Sequence, residues 1–314
     1  MGSDGNWLGS RMRRLATVTQ TACRDLLNPE RDITFRNREG IAAYDFTLAA
    51  RRRAPGVSAM LRARNESKKI ITCLASILGM FDEIVFIDNA STDGTLERVV
   101  QFKKGHDAGD IIRIARYPHA IARCGDEHWS TPDDSVHSLA YYYNWCLSRC
   151  GCAYVFKWDA DMALMANATS QMRDLFSTLR DDDPALWLVR VQTVYRDTHG
   201  SWYRVQGEIN SEARLAPNRP SVRYHKARHW EELRSDRPLP RRQFEPVCVY
   251  ELKDVAEDEF SHWSTTTFPT ERKRREWHYF GLVKSGQISA PLFEPLRGRF
   301  VESLEPEPTA KSRP

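Results

Sequence analysis

The chain has 314 residues, 41% of them hydrophobic and 11% aromatic, with a formal net charge of +4. That length buries a substantial core in one large α/β domain or two smaller ones, and the aromatic content argues for a folded globule. The charge is too mild to point to nucleic acid, the seven cysteines lack paired zinc-type spacing, and the longest apolar stretch, Ile70 to Phe81, is too short to span a bilayer.

Residues 1–55 read as an Arg-rich extension with a helix over Ile41–Ala50, and with no apolar core of signal-peptide length in Met1 to Arg14. The break Pro55-Gly56 opens the main domain. From there the pattern is regular: a strand Val57–Ala63, a helix Ser67–Leu78 with Ile70, Leu74 and Ile77 on one face, and a buried strand Glu83–Asp88. After the loop Asn89–Thr95 come a helix carrying Leu96, Val99 and Phe102, a strand Ile111–Ala115, a helix Val136–Leu147 and a strand Ala153–Trp158. Such alternation predicts an α/β class, a Rossmann-like and mostly parallel sheet flanked by helices, with residues 56–165 as its first half. The second half, 166–300, is predicted to be mixed. Leu186–Arg196 and Trp202–Gln206 form an antiparallel pair joined by the turn Asp197-Thr198-His199-Gly200, Val247–Tyr250 is apolar, and Pro269–Val283 is a basic helix. The tail 301–314 reads as disordered. No Gly-x-Gly-x-x-Gly follows the first strand and no Gly-x-x-x-x-Gly-Lys-Ser/Thr is present, which argues against dinucleotide and P-loop enzymes.

The strand Ala153–Trp158 runs into Asp159-Ala160-Asp161. In extended chain, residues i and i+2 point the same way, so both carboxylates can face one hard cation and leave its other positions to phosphate oxygens and water. The end of a strand is also where open α/β sheets bind ligands. The pattern suggests a metal–diphosphate site.

Four segments in register carry a resemblance: Val57 to Glu66, Cys73 to Ile77, Asp82 to Thr95, and Asp159-Ala160-Asp161. Together they resemble the successive motifs of family 2 glycosyltransferases of the GT-A fold, over roughly Val57 to Met165. The later half more loosely resembles the branch of lipopolysaccharide-core β-glucosyltransferases and peptide S-glycosyltransferases, through Arg214-Leu215, His229-Trp230-Glu231-Glu232 and His262-Trp263 ahead of a basic helix. Trp230 between His229 and Glu231 departs from that pattern. The resemblance implies an inverting, metal-dependent transfer of a sugar from a nucleotide sugar, UDP-linked by first choice, to a glycan, glycolipid or protein acceptor. It places nucleotide contacts at Ala63, Arg64, Glu66, Asp88, Asn144 and Asp159. It places Mn²⁺ or Mg²⁺ on Asp161, on Asp159 directly or through water, and on His262, and the acceptor base at Glu231 or Glu232. For Asp93 and Gly94 the expected role is a turn and helix cap. The basic runs Arg51-Arg52-Arg53 and Arg272-Lys273-Arg274-Arg275 read as solvated faces or as peripheral membrane contacts of a cytoplasmic protein with reduced cysteines. Two other readings stand beside this one: a sugar-phosphate nucleotidyltransferase, disfavoured because a Gly-rich, Arg-containing loop is missing, and a relic that binds nucleotide or glycan without turnover.

Overall fold

A computed structural model describes residues 29–257, 259–261 and 270–297. The elements in chain order are β1 (Ile33–Phe35), β2 (Phe46–Leu48), β3 (Ala54–Ala63), α1 (Ile70–Ile77), β4 (Glu83–Asp88), α2 (Thr95–Gly105), β5 (Ile112–Arg116), α3 (Asp126–Ser130), α4 (Leu139–Arg149), β6 (Cys152–Asp159), β7 (Met162–Leu164), α5 (Thr169–Thr178), β8 (Leu186–Arg196), β9 (Trp202–Val205), β10 (Asn210–Pro217), β11 (Val222–Lys226), β12 (Glu231–Ser235), β13 (Arg241–Asp254), α6 (Glu271–Lys284) and β14 (Phe293–Pro295), with three short 3₁₀ turns between them.

Among the described residues one ten-stranded sheet runs β14-β9-β8-β10-β6-β3-β4-β5, with β13 on β8 and β7 on β13. The segment β6-β3-β4-β5 is parallel. Beyond β6 the pairs β6-β10, β10-β8 and β8-β9 are antiparallel, so the sheet is mixed. From β3 the chain moves one way through β4 to β5, then returns to lay β6 on the other side of β3. The order reverses between β3 and β6, and open sheets hold their ligands at the carboxyl ends of such a pair.

Alternation along the central strands divides the core. Ala59, Leu61, Ile84, Phe86, Phe156 and Trp158 pack with α1, α2 and α5, while Met60, Val85, Ile87 and Val155 pack with α4 and β2. The second face is aromatic, with Tyr141, Tyr142, Tyr143 and Trp145 of α4 all buried. Helix α4 starts where Ser138 accepts a hydrogen bond from the Tyr141 N–H. The antiparallel pair β8–β9 falls where the sequence puts it. Asp197 Oδ1 accepts from the N–H groups of His199 and Ser201 at 2.9 and 2.8 Å, and Gly200 takes the left-handed φ of 88° that closes the turn.

The helix expected over Ile41–Ala50 is not formed. Only Ala42–Tyr44 makes a 3₁₀ turn, and Phe46-Thr47-Leu48 pairs with β1. Phe46 stacks on Phe35 with ring centroids 4.6 Å apart and meets Tyr141 edge-on at 5.1 Å. Docking alternate side chains on α4 outweighs the weak helical preference of an alanine-containing decapeptide. The predicted tail 301–314, the first 28 residues and His262 lie outside the described residues. The six described cysteines are free thiols. No helix among the described residues is long and apolar enough to cross a membrane.

Candidate active site

The register brings the strand ends together. Arg62 of β3 is the direct partner of Asp159 of β6, and Ala63 is the partner of Asp88 of β4. Asp88 is buried at 1% exposure, and Ser91 N–H donates to its Oδ1 at 3.4 Å. The loops that follow are tightly tied: Asn89 N–H reaches the Ala63 carbonyl at 2.8 Å, and Thr92 N–H reaches Asn65 Oδ1 at 2.8 Å. Asn65 and Ala90 both adopt left-handed φ, 59° and 52°. For Ala90 that costs roughly 1 kcal/mol, a strain held in the loops beside the candidate site. Arg64 points to solvent.

Asp93 has the structural role expected of it. Its Oδ1 accepts from Thr95 N–H at 3.0 Å and its Oδ2 from Ser67 N–H at 2.9 Å. Partial burial pushes its carboxyl up, but these bonds hold it at about 2. Gly94 takes a φ of 88° at the start of α2.

Asp159 is clamped. Arg62 pairs with its Oδ1 and Arg214 Nη1 donates to its Oδ2 at 2.7 Å. Burial works against the charged carboxylate, yet Arg62, Arg214 and Lys157 together hold it ionised, well below the ordinary carboxylate range. Arg62 lies over the Tyr143 ring at 3.8 Å. Both guanidinium groups keep a buried Nε–H with no hydrogen-bond partner among the described residues.

Asp161 lies one turn further on. Its Oδ2 is 2.9 Å from Lys253 Nζ, and the same ammonium stands 3.0 Å from Glu251 Oε1 and 2.7 Å from Glu259 Oε1. Glu251 and Lys253 are two residues apart on β13 and face the same side. Burial acts against the Lys253 charge, but Asp161, Glu251 and Glu259 raise it well above the usual lysine range. Glu66 is half buried and shares Lys69, at 3.2 Å, with Glu257, at 2.7 Å. Burial lifts the Glu66 carboxyl to about 7 against the pull of Lys69, and Asp161 adds to the rise.

Strand alternation sorts the two candidate bases. Glu231 is buried, with Lys157 Nζ 3.1 Å from its Oε1. Lys157 shares a strand face with Asp159, which links Glu231 to the charged strip. Glu232 points the other way, to solvent, and pairs with Arg234 at 2.6 Å. Asn144 lies buried on α4: its Nδ2 donates to the Tyr224 carbonyl at 2.7 Å and its Oδ1 accepts from Tyr224 N–H at 2.8 Å. The amide ties α4 to β11.

Sequence reasoning missed Arg62, Lys157, Glu212, Glu251, Lys253 and Glu276. It also read Arg272 and Lys273 as surface, whereas both turn inward: Arg272 reaches Glu212, Glu251 and Glu276, and Lys273 Nζ is 2.8 Å from Glu276. Arg274 is the exposed member of that run, and Arg275 is half-buried with its Nε 3.0 Å from Glu208 Oε1. The available signal was charge at alternate positions of a strand, Glu212/Arg214 and Glu251/Lys253, where a solvated face would offer no apolar partner.

Among the described residues, no three His, Cys, Asp or Glu side chains stand as a ready metal site. Both Asp159 oxygens are engaged by arginine. Asp161, Glu251 and Glu259 nevertheless aim hard oxygen donors at one point, which a lysine ammonium fills, and that donor type and sign of charge suit Mn²⁺ or Mg²⁺.

Residues 58–121 match the family described as glycosyl transferase family 2. Among solved structures, S. aureus TarS (residues 1–349) is 16% identical over 44% of this chain and 36% of its own, with a TM-score of 0.31. A mannosyltransferase from Pyrobaculum calidifontis in complex with GDP-Man and Mn²⁺ is 20% identical over 46% and 36%, with a TM-score of 0.32. Glucosyl-3-phosphoglycerate synthase from Mycobacterium tuberculosis, in complex with Mn²⁺, UDP-glucose and phosphoglyceric acid, is 20% identical over 47% and 45%, with a TM-score of 0.29. The chain thus spans less than half the length of these structures. No curated protein matches the sequence. The matched segment runs from β3 through β5 and frames the strand-end site.

Proposed function

We propose that this chain transfers a sugar with inversion, by single displacement, from a nucleotide sugar, UDP-linked by first choice, to a hydroxyl of a glycan, glycolipid or protein acceptor. One observation carries the reading. Arg62 and Asp159 are paired neighbours at the carboxyl ends of β3 and β6, where the strand order reverses, with Asp88 one strand away and Asp161 one turn on. A diphosphate arriving there meets Arg62, Arg214, Lys69 and Lys253. The buried, unpartnered Nε–H groups of the two arginines are donors that call for an acceptor.

Asp88 and Glu66, at the mouths of β4 and β3, are proposed to accept hydrogen bonds from the base and ribose, beside Ala63 and Arg64. When bound, a divalent cation, Mn²⁺ or Mg²⁺, would neutralise the charge of the departing diphosphate. Asp161 would hold it, with Glu251 and Glu259 in reach and His262 as a further ligand. Asp159 serves by fixing Arg62 and Arg214. In the displacement the anomeric carbon–phosphate oxygen bond breaks, the bond to the acceptor oxygen forms, and the acceptor proton passes to Glu231. Lys157, 3.1 Å from Glu231 Oε1, orients the carboxylate until the acceptor hydroxyl arrives. The likeness of the second half to the lipopolysaccharide-core and peptide S-glycosyltransferase branch is supported by two observations: Arg214 and Glu231 both reach this charged strip. A cytoplasmic enzyme touching a membrane through Arg51, Arg52 and Arg274 is compatible with their exposure.

The test is release of UDP from a panel of UDP-sugars with Mn²⁺, Mg²⁺ or EDTA, comparing the native protein with Asp161→Ala. The expected result is slow, metal-dependent hydrolysis of one donor, reduced about 10³-fold by the substitution. Nucleotide binding without turnover of any donor in the presence of acceptors would establish the relic instead.

A further inference from the structure

Strand β8 has two neighbours along one edge: β10 pairs with residues 187–191 and β9 with residues 194–196. Gln192 and Thr193 fall between them, where the chain crosses from β9 to β10 through a turn that holds Gly207 at a left-handed φ of 75°. On the other edge, β13 sets Tyr250 beside Gln192 and Glu251 beside Thr193. Alternation therefore sends Thr193 and Glu251 to the charged strip, and Gln192 and Tyr250 to the reverse face of the sheet. On that reverse face lies a cleft of about 460 Å³, a size typical of small-molecule sites. Its lining is polar without net charge. Arg204 and Glu294 pair two-pronged, with Nη2 and Nε of the guanidinium 2.7 and 3.0 Å from the carboxylate oxygens. Gln192 and Gln206 bring amides, and Tyr250 and the exposed Ile209 bring apolar surface. Gln192 is the decisive member. It is 7% exposed, and its amide makes no hydrogen bond among the described residues, whereas the large majority of buried side-chain polar groups are paired. Two donors and an acceptor thus stand unfilled at the wall of a cavity. Arg204 Nη1 is likewise without a hydrogen bond among the described residues.

We propose that this cleft binds a neutral saccharide, as an anchoring site on the face of the sheet opposite the charged strip. The donor set selects the class. A hydroxyl both donates and accepts, so it satisfies either end of the Gln192 and Gln206 amides. Two vicinal hydroxyls span the guanidinium–carboxylate pair, one accepting from Arg204 and the other donating to Glu294. The C–H face of a sugar ring covers Tyr250 and Ile209. An anion would be repelled by Glu294 and would find Arg204 already neutralised. An apolar ligand would leave the Gln192 amide unsatisfied. Binding here goes beyond the transfer reading and does not depend on turnover of a donor at the strand ends.

Neutral trisaccharides of glucose, mannose, galactose and N-acetylglucosamine are titrated into the full chain without nucleotide or metal, and binding is followed by ligand-observed NMR. The native protein is compared with Gln192→Leu, which keeps the bulk of the side chain and removes the amide, and with Glu231→Gln in the charged strip. At least one trisaccharide is expected to bind the native protein and Glu231→Gln alike, and Gln192→Leu about tenfold more weakly, for the loss of its hydrogen bonds. Failure of all four to bind the native protein would overturn the site. Binding that Glu231→Gln abolishes and Gln192→Leu spares would place the sugar at the charged strip and overturn it equally. Should Gln192→Leu not fold, Ile209→Trp fills the cleft from its exposed rim. The same loss is expected, and undiminished binding to that variant would overturn the proposal.

Discussion

Strands β3 and β4 are apolar through most of their length and become polar only at their last residues, Arg62 and Asp88. By contrast, β10 carries opposite charges in mid-strand, Glu212 with Arg214, and β13 carries a similar pair, Glu251 with Lys253, near its carboxyl end. The parallel half is covered on both faces by helices, so the cheap place for a charged group is where a strand leaves the sheet. Strand β10, antiparallel to β6 and β8, turns the mid-strand Arg214 onto Asp159, and β13, parallel to β8, brings Lys253 near its own end onto Asp161. Charge thus comes from both halves: the parallel half brings Arg62, Lys157, Asp88 and Asp159, and the other half brings Arg214 and Lys253 with Glu212 and Glu251.

The largest expected effect that tests this contrast is on stability. Arg214 bridges Asp159 and Glu212, at 2.7 Å each, with its side chain 3% exposed. Arg214→Met leaves two partly buried carboxylates with one arginine partner each, Arg62 and Arg272, and should cost about 3 kcal/mol in urea denaturation. Ile84→Val in the parallel half, a loss of one methylene from a fully buried side chain, should cost about 0.5–1.5 kcal/mol. Equal costs would mean that solvent screens the charged strip and that the two halves do not differ as described.

A smaller effect separates adjacent residues of one strand. Glu231→Gln should lower kcat about 10²-fold and leave donor KM unchanged, since the amide keeps the shape and its contact with Lys157 but cannot take a proton. Glu232→Gln, on the solvent face against Arg234, should change kcat less than about twofold. A reversal of the two would move the base to the outer face of β12 and remove the acceptor side from the charged strip.

The contrast also explains what the sequence discloses. Strand Glu83–Asp88 is bounded in the sequence as it is in the structure, because a strand buried on both faces is a continuous apolar run between breaks. Asp159 and Asp161 stand out for the same reason, as acids ending such a run. Strands β10, β11 and β12 are not legible that way: Glu212, Arg214, Lys226 and Glu231 interrupt every apolar alternation, and a charge that faces a buried counter-charge looks in sequence like one that faces water. Arg272 and Lys273 were hidden by their own helix, whose run of basic residues reads as a surface until Glu212, Glu251 and Glu276 appear beside it. Phe46-Thr47-Leu48 is a different case. There the alternation is present but short, and the contacts that decide it come from Phe35 and Tyr141, distant in sequence.

The smallest effect lies where the halves meet. Glu66 belongs to the loop after β3, but its partner Lys69 is drawn away by Glu257, just past β13. Burial therefore dominates and lifts the Glu66 carboxyl from the ordinary 4.5 to about 7. The folded protein then binds a proton that the unfolded chain has released, so between about pH 4.5 and 7 the contribution of this residue to stability falls as pH rises. The native protein should lose on the order of 2 kcal/mol more than Glu66→Gln between pH 5 and 8, read from paired urea titrations. Parallel pH curves for the two would mean that Lys69 compensates Glu66 fully, and that the acid is ionised and ready to meet ribose hydroxyls throughout this range. Divergent curves would mean that burial outweighs Lys69, so that Glu66 is protonated at low pH and ionises only near pH 7.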